Sequence, residues 1–277
     1  MTAPIDLEAV RESAKTNAPD RYYAALFAPA ATRDDLIALA AFTGEIEHIA
    51  RAVSDAALGE IRVAWWRDAF LSRGESGRSG NPVLDAFGEV IRQRALPLGL
   101  IESYLEAHAD ALFADAPADD RALDDRVQIT DGVPLRLAAL ILGCSVGSAD
   151  DDMLNAAARA SGFARIGCDL PYSLMRGRAP LPLARSPEAR DSSQSAPDWR
   201  PAIAWLAGES EAALTVVRRH LAGKDRAFTT ALLPLALVEP YFRALQKPGH
   251  DPAHDIVELA PVGRLWRIAC AHWTGRI

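Results

Sequence analysis

Cysteine is scarce in this chain. Cys144, Cys168 and Cys270 are the only three in 277 residues. Far apart and odd in number, they exclude a disulfide framework and point to a reducing compartment, such as a bacterial-type cytoplasm. Long apolar runs are missing too: none reaches the about 18–20 residues that a membrane span needs. Ile5 to Thr16 is acidic and basic by turns, which is not the charged-then-apolar pattern of a targeting segment. Thirty basic against 37 acidic residues give a net charge of −7 with no basic arm or stripe, so nucleic acid is not an expected partner. Alternating β-branched runs joined by Asn-Gly or Asp-Gly turns are absent, which argues against a sheet. Gly-rich phosphate loops, Gly-x-Ser-x-Gly elbows and Cys-x-x-Cys pairs are absent as well, and with them several common chemistries.

What is present reads as helix nearly throughout. Apolar residues make up 49% of the chain, and Ala and Leu dominate the periodic segments. Thr32 with Asp35 resembles a capping box opening a helix from Asp35 to Val53. Asp55 caps a second helix through Trp65 and Trp66 to about Arg73. Asn81-Pro82 supplies a cap and a first-turn proline for a helix to Arg94. Further helices are expected over Pro97–Asp115, Arg121–Gly143, Ser148–Cys168, Trp199–Leu221, Asp225–Gln246 and Pro261 to the end. Gly74–Gly80 reads as a flexible Gly/Ser connection. Ala179–Pro197 is rich in Pro, Ser and Arg, too polar to pack, and reads as a long loop. The expectation is one all-α domain over residues 1–277.

Chemistry-bearing residues collect at two places. In the first helix Glu45, Glu47 and His48 interrupt an apolar run. Two carboxylates four residues apart on a helix face can share Mg²⁺, but Glu47 has Arg51 at that spacing, which favours an i,i+4 ion pair. In the second, Asp169 sits in an apolar helix where an unpaired carboxylate is costly. It is therefore either paired, with Arg165 as the natural partner, or lining a cavity. Pro171 cannot donate to the carbonyl of Gly167 and is expected to end or kink that helix, so Ser173 need not share a face with Asp169. Arg176 and Arg178 suit either a phosphate contact or a solvated basic rim. Asp119, Asp120, Asp124 and Asp125 read as a solvated helix start, and Asp150–Asp152 as acids placed on a helix dipole. The last helix, with Trp266, Trp273 and several arginines, can dock onto the bundle or rest on an anionic membrane surface.

Several runs together resemble the squalene/phytoene synthase family of head-to-head prenyl transferases. They are Asp20-Arg21-Tyr22-Tyr23 through Pro29, then Arg33, Ala38 to Phe42, Gly59 to Asp68, and Arg176-Gly177-Arg178 with Leu181-Pro182. The resemblance implies an isoprenoid-synthase fold, a helical bundle with a central cavity. Active members carry two Asp-rich helices whose carboxylates hold Mg²⁺ against a prenyl diphosphate. Counted from Phe42, the leading Asp of the first motif falls on Glu47, its neighbour on His48 and its last Asp on Arg51. Counted back from Gly177, the second motif's first Asp falls on Asp169, its last on Ser173, and the upstream Asn on Arg165. Glu47 and Asp169 thus remain as candidate vestigial metal ligands. Arg21, Tyr22, Arg33, His48, Arg51, Arg165, Arg176 and Arg178 are candidate cavity or diphosphate contacts.

Glu45-Ile46, Val53-Ser54, the Gly59, Arg62, Trp66 spacing and Leu170-Pro171-Tyr172 suit a branch of the family without these aspartates. That branch includes the mitochondrial complex I assembly factor. The resulting expectation is a non-catalytic binding or assembly protein with no resident cofactor. Its partner would be a respiratory-complex subunit or an isoprenoid lipid, met in the cytoplasm or at the inner membrane through residues 261–277. The alternatives are an active Mg²⁺-dependent transferase with Glu47 and Asp169 as ligands, and an isoprenoid carrier without chemistry.

Overall fold

Small residues let one helix run through the middle of the molecule. α3 (Ala30–Ala52) carries Ala38, Ala40, Ala41 and Gly44, and every residue from Leu36 to Gly44 is buried. Neighbouring backbones approach closely here; a Cβ on Gly44 would lie 2.9 Å from that of Asn17 in α1. The computed structural model describes residues 5–53, 55–71, 79–113, 116–187 and 197–277. Among them there are helices and no strands. α1 (Leu7–Asn17), α2 (Pro19–Ala25), α4 (Ala56–Leu71), α5 (Pro82–Arg94) and α6 (Leu98–Phe113) pack around α3. A second long helix, α9 (Asp151–Met175), gathers α7 (Asp120–Thr130), α8 (Gly132–Ile141), α10 (Arg200–Leu221) and α12 (Val238–Leu245). α11 (Arg226–Ala231) packs on α8, and α13 (Pro261–Thr274) packs on α2 and on the 3₁₀ turn Leu233–Leu237. Two main apolar clusters result. The first lies around Phe42, which stacks on Phe87 at 4.5 Å and meets Trp66 edge-on; the second lies around Phe163. The all-α expectation holds.

The caps at Asp55 and Asn81 form as their side chains require, accepting from Ala57 N and Leu84 N. The Thr32 capping box does not. α3 begins at Ala30, after extended Pro29, and the Thr32 hydroxyl donates to the Pro29 carbonyl. The helix expected over Arg121–Gly143 breaks at Asp131. Pro134 has no N–H for the carbonyl of Thr130, so it is accommodated in the first turn of a new helix, α8. Likewise Pro234 and Pro240 divide the segment expected as Asp225–Gln246 into α11, a 3₁₀ turn and α12. Pro171 has the opposite outcome. α9 runs through it to Met175 with Leu170 and Pro171 both buried, so packing against α10 and α12 outweighs the lost backbone bond, and Ser173 lies one turn beyond Asp169.

Residues 179–187 are not a loose loop. Leu181 is fully buried, and Arg185 lies over the Trp205 ring while pairing with Asp120 at 2.6 Å. Residues 188–196 of the expected loop, and 72–78 of the Gly/Ser connection, lie outside the described residues. The aspartates at the start of α7 do more than face solvent. Asp119 accepts from Ala122 N, and Asp124 pairs with Arg159 of α9 at 2.7 Å. Asp150 pairs with Lys224 and Asp151 with Arg136, tying the start of α9 to its neighbours.

Candidate functional site

The space between α2, α3, α8, α9, α12 and the segment leading into α13 is a cavity of about 530 Å³. A smaller recess of about 130 Å³ lies between α3, α6, α7 and α9. Glu47, Arg51, Arg165, Asp169 and Tyr172 line both, so this charged row stands between the two spaces. Helical spacing explains the row. Glu47 and Arg51 are one turn apart on α3, and Arg165, Asp169 and Ser173 are successive turns of α9.

The ion pairs in the row cross between helices. Arg21 of α2 meets Glu47 at 2.7 Å, and its Nη1 also donates to Thr43 Oγ1. Arg51 meets Asp169 at 2.8 Å. The Glu47–Arg51 pair expected from spacing therefore gives way to two longer-range ones, because each residue faces an opposite charge on another helix. Arg165 does pair with Asp169, at 3.6 Å, but its main partner is Asp131, which it holds through Nε and Nη2, both at 2.8 Å. Thr130 Oγ1 donates to the same carboxylate at 2.7 Å. At the outer edge Arg264 of α13 meets Asp20 at 2.6 Å, and Tyr241 OH donates to Asp20 at 2.8 Å. Four carboxylates face four guanidinium groups, each carboxylate with one close partner and Asp169 with Arg165 as a second, longer one.

Burial makes these pairings strong. The Asp131 side chain is 2% exposed. Burial pushes its carboxyl pKa up, but the charge and hydrogen bonds of Arg165, with help from Thr130 and Arg21, reverse this and leave it below 3.8. Asp169 goes the other way: burial raises it, and Arg51 and Arg165 offset that only in part. Burial works against the Arg165 cation, yet Asp131, Asp169 and Glu47 outweigh it, so its pKa is raised. Tyr104 OH donates to the Thr43 carbonyl and to Glu47, and burial beside that carboxylate pushes the phenol up. His108, 7% exposed in the recess, is lowered to about 4, burial being the main cause, and is neutral at pH 7.

Of the expected contacts, the fold brings together Glu47, Asp169, Arg21, Arg51 and Arg165. Three others lie elsewhere. Tyr22 packs on the first apolar cluster, edge-on to Tyr23, and Arg33 donates to the Ala28 carbonyl. His48 is exposed on the far side of α3, beside Trp65 and Trp66. Arg176 and Arg178 cap a helix end: Arg176 bonds the carbonyls of Arg51 and Val53, and Arg178 that of Ala50. Their charge suits the C-terminal dipole of α3, which supplies a structural reason for both. Sequence reasoning missed Asp131, Tyr104 and the Asp20–Arg264 pair. Asp131 had a signal, since Asp-Gly-Val-Pro at 131–134 carries a helix breaker and a proline inside an apolar run.

Among the described residues, no three His, Cys, Asp or Glu side chains are grouped as a metal site would need. No helix there is long and apolar enough to cross a membrane.

Comparison with known proteins places the fold. The fold of a squalene synthase, HpnC from Alicyclobacillus acidocaldarius, superposes with a TM-score of 0.68 at 19% identity, covering 88% of this chain and 95% of that one. A dehydrosqualene synthase solved in complex with ligand superposes with a TM-score of 0.69 at 15% identity, covering 97% of each chain. At such identities the likeness establishes the fold. No curated protein matches the sequence. The squalene/phytoene synthase family pattern matches residues 14–266, nearly the whole chain. The chain belongs to the squalene/phytoene synthase family.

Proposed function

We propose that this protein is a non-catalytic member of the family that binds or assembles rather than transfers prenyl groups. The observation that carries the reading is the pairing of four of the five cavity carboxylates, all but the exposed Glu258, with a guanidinium: Glu47 with Arg21, Asp169 with Arg51, Asp131 with Arg165 and Asp20 with Arg264. A diphosphate leaves an allylic carbon as a polyanion, and its departure needs metal ions or free cations to take up that charge. Magnesium prefers carboxylate and water oxygens in octahedral array, and this donor set does not fit it. A dication about 4 Å from a guanidinium is repelled by on the order of 8 kcal/mol at an effective dielectric of about 20. The test is incubation with farnesyl or geranylgeranyl diphosphate and Mg²⁺, followed by extraction and mass spectrometry. No C30 or C40 hydrocarbon is expected; Mg²⁺-dependent product that disappears with Asp169→Ala would establish the transferase reading instead.

Two features support a binding role at a membrane surface. The cavity is large enough for a small-molecule ligand, about 300–1,000 Å³ being usual, and apolar side chains including Leu135, Val238 and Val257 form part of its wall. α13 buries Ile268, Ala269 and Ala271 against the bundle and leaves Val262, Leu265, Trp266 and Trp273 exposed. Residues 261–277 contain three arginines and no acid, in a chain of net charge −7. An exposed apolar and aromatic face with cationic neighbours suits an anionic bilayer surface. On this reading the protein sits on the cytoplasmic side of the inner membrane. It carries an isoprenoid lipid or serves the assembly of a membrane respiratory complex, and it needs no resident cofactor.

A further inference from the structure

We infer that the 530 Å³ cavity takes an uncharged amphiphile, a long apolar tail with a hydroxyl or carbonyl head, and rejects the corresponding diphosphate. This rests on the binding role proposed above and names the ligand class.

The argument is a charge balance. The cavity wall holds five cations, Lys15, Arg21, Arg51, Arg165 and Arg264, and five carboxylates, Asp20, Glu47, Asp131, Asp169 and Glu258. Its net charge is zero, and the inner four of each sign are already paired across helices. Lys15 and Glu258 are exposed and screened by solvent, so within the paired row an anionic head gains affinity only by taking a guanidinium from its carboxylate. The carboxylates left behind would be Glu47, Asp131 or Asp169, whose side chains are 9%, 2% and 17% exposed. An ammonium head meets the mirror problem, since every inner carboxylate is occupied. An uncharged head breaks no pair. It can hydrogen-bond the outer lone pairs and N–H groups of the row while its tail lies along Leu135, Ala164, Val238 and Val257. The break-up of one buried ion pair makes the diphosphate weaker than the alcohol by at least about 100-fold.

The test uses three probes with one chain, farnesol, farnesylamine and farnesyl diphosphate, titrated calorimetrically into the intact protein with and without Mg²⁺. Farnesol is expected to bind at least about 100-fold tighter than either charged probe. Asp169→Asn unpairs Arg51 and is expected to strengthen farnesyl diphosphate binding about tenfold while farnesol changes little. Val257→Trp, in the half-buried segment at the cavity edge, is expected to abolish farnesol binding without lowering the melting temperature. Diphosphate binding as tight as that of farnesol overturns the uncharged class and leaves the cavity a ligand site. Absence of binding by all three probes overturns the cavity as a ligand site altogether. Farnesol binding unchanged by Val257→Trp places the ligand elsewhere and overturns the assignment.

Discussion

Replacing Arg165 with Met tests whether the guanidinium groups are the fixed counter-ions of the cavity. Met keeps much of the stem packing and removes the charge. Asp131, 2% exposed, then loses two hydrogen bonds of 2.8 Å and its ion pair, while Asp169 keeps Arg51. Breaking one side of a buried pair costs about 3–5 kcal/mol. An independent bound agrees: the protein can escape by protonating Asp131, which from an ordinary value of 3.8 costs about 4 kcal/mol at pH 7. The same escape costs only about 1 kcal/mol at pH 4.5, so the deficit of the variant should shrink with acidification. The wild-type sign is consistent with this. The Asp131 pKa is depressed on folding, so its contribution is complete above 3.8 and lost as pH falls through its folded value. Urea denaturation at pH 7.0 and 4.5, with the Asp131→Asn/Arg165→Met double variant beside the single one, measures all of this. The double variant should recover most of the loss at pH 7. A single-variant deficit below about 1 kcal/mol, or one that does not change with pH, would show that Arg165 is not the counter-ion of a buried carboxylate.

Three other perturbations probe the fold and the surface. His108 is lowered from 6.5 to about 4, so between those values the unfolded chain takes a proton that the folded one refuses. Stability should therefore fall as pH drops through that window, by about 2–3 kcal/mol at pH 4.5, and His108→Leu should flatten the slope; an unchanged slope rejects the assignment. Gly162 sits where a Cβ would lie 2.4 Å from Val127 Cγ1 and 2.9 Å from Asp131 Oδ2. Although Ala is the better helix former by about 1 kcal/mol, Gly162→Ala should lower stability by about 1–3 kcal/mol, and a raised melting temperature would show that α7 yields easily. Trp266→Ala/Trp273→Ala should weaken co-sedimentation with phosphatidylserine-containing vesicles by at least about tenfold without changing the melting temperature, and undiminished sedimentation would remove α13 from the membrane contact.

The helical class and several caps were legible because they depend on neighbours in sequence. Asn81 with Pro82, and Asp55 ahead of the Trp65-Trp66 helix, carry their capping chemistry within three residues. The helix breaks were misread. Pro134 and Pro234 interrupt helices expected to be continuous, as a missing N–H requires, whereas Pro171, expected to interrupt, is carried through because α9 is packed against α10 and α12. Charge pairing was the least legible. From spacing alone Glu47 belongs to Arg51, yet both are claimed from other helices, and the decisive partner of Arg165 lies 34 residues away. From the sequence Arg176 and Arg178 suited either a phosphate contact or a solvated basic rim. Only the close return of the chain beside the end of α3, 125 residues back in sequence, reveals them as helix caps.

Two facing helices that present carboxylates to a shared cavity create an electrostatic demand before any ligand arrives. Cations must lie between them or the bundle is pushed apart, and a fold can recruit those cations from solvent or build them in. In this chain they are built in, and each comes from a different element: Arg21 from α2, Arg51 from α3, Arg165 from α9 and Arg264 from α13. A recruited ion can leave with a product or be shared with an incoming anion. A guanidinium on a packed helix can do neither without stranding its carboxylate. The arginines therefore serve two ends through one interaction. They hold α2, α3, α9 and α13 around the cavity, and in the proposed function they also remove the exchangeable charge on which prenyl diphosphate chemistry depends. On the proposed reading, loss of turnover and retention of the fold are not separate outcomes, because the same four pairs produce both.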